Sequence, residues 1–97
     1  MATVHLRMGS AMGGGAPVNS PIPDVAQTMT SSGTSTPSTI AAKGGEYLRV
    51  VASGGAVYVA VGAAPTAGAN LGDMVPDGGA FDCGPLKAGD KVAIKDV

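Results

Sequence analysis

Glu46-Tyr-Leu-Arg-Val-Val-Ala-Ser-Gly-Gly-Ala-Val-Tyr-Val-Ala-Val61 is the stretch whose reading decides the fold. In its second half Val57, Val59 and Val61 alternate with Tyr58 and Ala60, the period-two pattern of a strand with one buried face. Its first half is also rich in valine, which packs well on a pleated surface. Ser53-Gly54-Gly55 lies between them and supplies the glycines that a tight connection with positive φ requires. The spacing therefore predicts a hairpin pairing residues 46–52 with 56–61.

Toward the C-terminus the punctuation continues. Pro65 and Gly68 break residues 63–70 into a loop, Asp73-Met-Val-Pro76 is a short extended piece, and Asp77-Gly78-Gly79 is a turn. Phe81 and Cys83 then alternate with Asp82 in a third strand. The segment from Pro85 to Asp90 reads as a tight turn leading into Lys91-Val-Ala-Ile-Lys95, where Val92 and Ile94 point away from Lys91, Ala93 and Lys95. Short strands joined by glycine-rich turns, with no helix-length amphipathic pattern, predict an all-β protein: a small antiparallel β-sandwich or barrel.

Toward the N-terminus, Val4, Leu6 and Met8 alternate with Thr3, His5 and Arg7 as a short strand, which needs a partner from elsewhere to be stable. Residues 9–45 are rich in Gly, Pro, Ser and Thr. They read either as a disordered linker or as an extended arm that orders on a neighbour. Within them Asp24-Val-Ala-Gln27 suggests a brief helical turn and Thr28-Met-Thr-Ser31 a strand end. The expected organisation is an extended N-terminal strand and arm, residues 1–45, and a small β-sandwich body, residues 46–97. If the arm docks on another subunit, its candidate partner-binding residues are Val4, Leu6, Met8, Val18, Ile22, Val25, Met29 and Ile40, with the strand able to add to an open sheet edge.

The whole chain has 97 residues, enough for one domain, and 13% of them are charged, fewer than a fully solvated surface normally carries. Cys83 is the single cysteine, so no intrachain disulfide forms, and the lone His5 cannot complete a zinc site with it. A body of this size without a staple is expected to gain stability from copies or partners. The net charge is −1 and the basic residues are dispersed, which argues against nucleic-acid binding. Nothing approaches the ~20 consecutive apolar residues of a membrane span. The N-terminus lacks the apolar block of a secretory signal, so synthesis in a cytoplasm with a reduced thiol is expected.

The candidate chemical sites are weak. Gly13-Gly14-Gly15 lacks the Lys-Ser/Thr that completes a phosphate loop, and Gly44-Gly45 and Gly54-Gly55 fall between strands as turns. His5 is read as a strand-edge residue rather than a general base. Asp73, Asp77, Asp82, Asp90 and Asp96 mostly flank turns, and Asp73 with Asp77 fits no calcium-loop spacing. Cys83 is read as a small apolar residue on a strand. The expectation is a non-enzyme with no catalytic residue, cofactor or metal.

Three segments, Glu46-Tyr-Leu-Arg-Val-Val-Ala52, Ala56-Val-Tyr-Val-Ala-Val-Gly-Ala-Ala-Pro-Thr-Ala67 and Leu86-Lys-Ala-Gly-Asp-Lys-Val-Ala-Ile94, resemble small β-rich virion proteins of tailed bacteriophages. The resemblance covers residues 44–97. It implies a structural virion protein, a capsid decoration or cement protein that stabilises the head by binding across capsid subunits as a dimer or trimer. Its partners would be the major capsid protein or other virion subunits, and its location the virion. A head–tail connector, collar or fibre-attachment protein is the alternative. A host- or carbohydrate-binding module ranks below both, since Tyr47 and Tyr58 are the only plausible stacking aromatics and there is no Trp.

Overall fold

The computed structural model describes residues 2–9, 11–12, 18–19, 25–68 and 72–97. Within them the chain is all-β and forms a small sandwich of two four-stranded antiparallel sheets. The strands in chain order are β1 (Thr3–Gly9), β2 (Ala11–Met12), β3 (Val18–Asn19), β4 (Val25–Thr30) and β5 (Thr36–Pro37), then β6 (Tyr47–Ser53), β7 (Val57–Gly62), β8 (Asp73–Val75), β9 (Ala80–Cys83) and β10 (Lys91–Asp96). The first sheet has the order β4-β1-β6-β9 and the second β5-β10-β7-β8, while β2 and β3 pair separately.

Period-two alternation builds the core. On β1, Val4, Leu6 and Met8 are wholly buried while Thr3 and His5 are exposed. Leu48, Val50 and Ala52 do the same on β6. The second sheet answers with Val57, Val59, Val75, Val92 and Ile94, and all of these join one apolar cluster with Met29, Ala42 and Leu86. Each such side chain contributes roughly 1.5–3 kcal/mol by leaving water.

The strands expected from residue 46 onward are present, but the expected hairpin is not. β6 pairs with β1 on one side and β9 on the other, while β7 pairs with β10 and β8. Residues 54–56 therefore form an arch that carries the chain from one sheet to the other. Gly54 adopts φ +89°, the conformation glycine allows, and its N–H donates to the Asp77 carboxylate at 2.9 Å. The connection between β8 and β9 is a second arch, stacked on the first: Gly78 N–H donates to the Ala52 carbonyl at 2.9 Å, and Ala52 N–H to the Gly79 carbonyl at 3.2 Å. A pair of half-buried strands with a short glycine connection can lie side by side or face each other across a core. Here both sides of β6 are already taken.

The division into arm and body also needs correction. β1 is a central strand, with Leu6 opposite Val50 of β6 on one side and Gln27 of β4 on the other. Residues 25–27, read as the start of a helical turn, belong to β4. The strand expected to seek a partner on a neighbour finds two within its own chain, because only there are its three apolar side chains covered. β1, β4 and β5, all before position 46, thus belong to the same sandwich as the later strands.

Candidate functional site

The two long edges of the sandwich differ. At the edge of β4 and β5 the sheets are tied by polar side chains. Ser31, fully buried, accepts the Ala2 N–H on its hydroxyl at 2.7 Å, and donates that hydroxyl to the Asp96 carboxylate at the end of β10. Gln27 Oε1 accepts the N–H groups of Thr39 at 2.9 Å and Ile40 at 3.3 Å. Ser38, also buried, extends the short β5: its N–H donates to the Val92 carbonyl at 2.6 Å and its hydroxyl accepts the Val92 N–H at 3.0 Å. A run rich in Ser and Thr looks like linker by composition, yet here its hydroxyls substitute for ladder hydrogen bonds.

Glu46 closes the adjoining corner. Its carboxylate is buried and accepts the N–H groups of Lys43 at 2.8 Å and Gly44 at 2.6 Å. The Lys43 N–H bond is the main cause that holds this carboxyl below its ordinary value, against the opposing effect of burial. The backbone of the same residue accepts Leu86 N–H at 2.7 Å, which fixes the turn before β10.

At the opposite edge, between β7, β8 and β9, the sheets part around a cavity of about 460 Å³ open to solvent. Val59, Val61, Pro65, Phe81 and Cys83 give it apolar walls, with Thr66 and Asp73 at its polar side. Burial pushes the Cys83 thiol up, and the carboxylates of Asp73, Asp82 and Asp90 push it further. A thiol in that state is a poor nucleophile at neutral pH.

The outer face of the first sheet is ordered in rows set by the strand register. One row is Thr30, Thr3 and Ser53; the next is Thr28, His5, Val51 and Ala80; the third is Ala26, Arg7, Arg49 and Asp82. His5 is exposed there, with Nδ1 3.3 Å from the Thr28 hydroxyl. Arg49 and Asp82 form an exposed ion pair at 3.0 Å. The first two rows carry no carboxylate, lysine or arginine, so charge is confined to one margin.

The residues expected to bind a partner fall elsewhere. Val4, Leu6, Met8 and Met29 are core residues, and Ile40 is half-buried against the core. Val4, Leu6, Met8 and Met29 cannot meet a partner without unfolding their own sheet, which corrects that expectation for these four. Val18 and Val25 lie on β3 and β4, while Ile22 lies outside the described residues, as do Gly13-Gly14-Gly15. Asp77 and Asp90 bond turn N–H groups, of Gly54 and Lys87 respectively, at 2.9 Å each. Among the described residues no three His, Cys, Asp or Glu side chains gather where a metal ion would be held.

Reasoning from single residues missed the row pattern, whose signal is the alternation of polar residues on β1 and β4. It becomes a surface only when the register sets those strands beside β6 and β9. No protein-family model, curated protein or solved structure matches the chain.

Proposed function

We propose that the chain is a structural, non-catalytic virion protein: a decoration or cement protein of a tailed-bacteriophage head, bound across capsid subunits. The observation that carries this reading is the outer face of β4-β1-β6-β9, with two uncharged rows beside a charged one. Protein–protein interfaces deplete charged residues at their centre and keep them at the rim. The rows through Thr3 and His5 have that uncharged centre, and the row through Arg7, Arg49 and Asp82 supplies the charged margin. Four strands at their usual spacing, over the five residues from Thr3 to Arg7, give a face of about 300 Å². That is well under the ~800 Å² per partner of a stable interface. A single copy therefore holds weakly, and many copies on a repeating shell gain by avidity. The choice of a phage head as that shell rests on the resemblance of residues 44–97 to small virion proteins.

The test is co-sedimentation of the purified chain with phage heads lacking it, with bound copies counted by densitometry. Saturable binding over the whole shell is expected, along with its loss in Val51→Arg, which puts a charge at the centre of the face. A small fixed number of copies per particle would indicate the connector or collar role instead. Folded protein that leaves heads unbound rules the proposal out.

A further inference from the structure

β4 ends its sheet: β1 pairs with one side of it, and no described strand pairs with the other. One hydrogen bond sets the direction of its backbone groups. Ser31 N–H donates to the Ala2 carbonyl at 2.8 Å. Because an antiparallel strand alternates, Met29 and Gln27 also turn N–H and C=O toward β1, while Ala26, Thr28 and Thr30 turn theirs outward.

The other sheet ends are blunted in ways that discourage pairing. β5 has two residues, one of them Pro37; β8 has three, starts at Asp73 and is followed by Pro76; β9 has four, with Asp82 among them and Pro85 beyond. β4 alone is long, with six residues, Val-Ala-Gln-Thr-Met-Thr, and neither charge nor proline. Proteins rarely leave such an edge open, because it is a template for another chain.

We infer that a second copy of this chain pairs antiparallel along β4 across a two-fold axis at Thr28, joining two sheets into one. The occupant follows from self-complementarity. In this register Thr28 lies opposite the partner's Thr28, and Ala26 opposite the partner's Thr30, so every outward N–H and C=O of these three residues meets an outward mate. Moving the axis to Gln27 carries Thr30 past the end of the partner's strand. Cross-strand threonine pairs are favourable, and no charged side chain meets a like charge. A two-fold contact also closes on itself, leaving only the short β9 strands as the ends of the joined sheet.

The test is sedimentation equilibrium of the full chain and two variants. The chain should have twice its 9.3 kDa mass. Thr28→Pro removes an outward N–H while breaking no backbone bond to β1, losing only the exposed hydroxyl contact with His5, and Thr28→Lys places two ammonium groups together at the axis. Both variants should halve the mass while keeping the far-UV circular dichroism of the parent. If the proline variant loses that spectrum, the lysine variant decides. A parent that stays monomeric at the highest attainable concentration, a dimer that survives Thr28→Lys, or an open-ended series of oligomers overturns the inference. None of these outcomes depends on head binding. A dimer that ignores heads sinks the virion role and keeps this contact, and a monomer that coats them does the reverse.

Discussion

The Ser31 hydroxyl donates to the Asp96 carboxylate, joining the end of β4 in one sheet to the end of β10 in the other. The same oxygen accepts the Ala2 N–H at 2.7 Å, so one buried side chain holds three segments far apart in sequence. Ser31→Ala removes both bonds and leaves the Ala2 N–H with no acceptor in a dry site. A buried donor stripped of its acceptor costs about 1–3 kcal/mol. The urea midpoint should fall accordingly with the slope unchanged, as expected where stability alone has changed.

Glu46 makes stability depend on acid. Its carboxyl lies below the ordinary glutamate value of 4.5 in the folded chain because the Lys43 and Gly44 N–H groups bond to the charged form. A depressed carboxyl contributes its full stabilisation above the unfolded value and loses it as pH falls through the folded one. The loss from this residue therefore begins near pH 4.5 and continues below it. Other carboxylates titrate in the same range, so the measurement is a difference. Urea midpoints of the parent and Glu46→Gln should lie far apart at neutral pH and converge on acidification. A gap independent of pH would mean that the charge of Glu46 contributes nothing.

How much was legible beforehand varied with the kind of constraint. The strands from Tyr47 onward were readable because valine alternation and glycine or proline punctuation are local signals. Which strands would pair was not. Val50 and Val57 read as neighbours in a hairpin, yet they lie in different sheets that share one core, since β1 and β9 occupy both sides of β6. β1 was legible as a strand but not as a central one, because β6, one of its two partners, begins at Tyr47. Ser31, Gln27 and Ser38 carried no signal at all: a hydroxyl or amide in a polar run looks the same whether it bonds water or the far sheet. The row pattern of the outer face shared that fate, being spread over four strands from both halves of the chain.

Gly72 should tolerate no side chain. Its φ is +130°, and a methyl group built on it would overlap the carbonyl oxygen of Val59 on β7. Backbone cannot yield as a side-chain end does, so both the conformation and the overlap oppose the change. Gly33 is the control, with nothing near its added carbon and no positive φ. Thermal melts should show Gly72→Ala lowered by about 2 kcal/mol or more, whereas Gly33→Ala should fall within ~0.5 kcal/mol of the parent. Equal behaviour of the two would remove the close approach of residue 72 to β7.

The N-terminal strand gives the most direct test of the architecture. Were it a detachable arm, truncating one of its apolar side chains would weaken docking and leave the body intact. As the strand between β4 and β6, with Leu6 wholly buried, it behaves as core. Leu6→Ala then costs about 2–5 kcal/mol, the range for a buried leucine cut to alanine. Small domains have only ~5–15 kcal/mol in total, so the loss should be visible as a large drop in melting temperature. Deleting residues 1–9 removes Val4, Leu6 and Met8 together with one neighbour of each of β4 and β6, and should abolish the cooperative melt. Far-UV circular dichroism during heating distinguishes the two architectures: a deletion that still melts cooperatively at the parent's temperature would return β1 to the status of an arm.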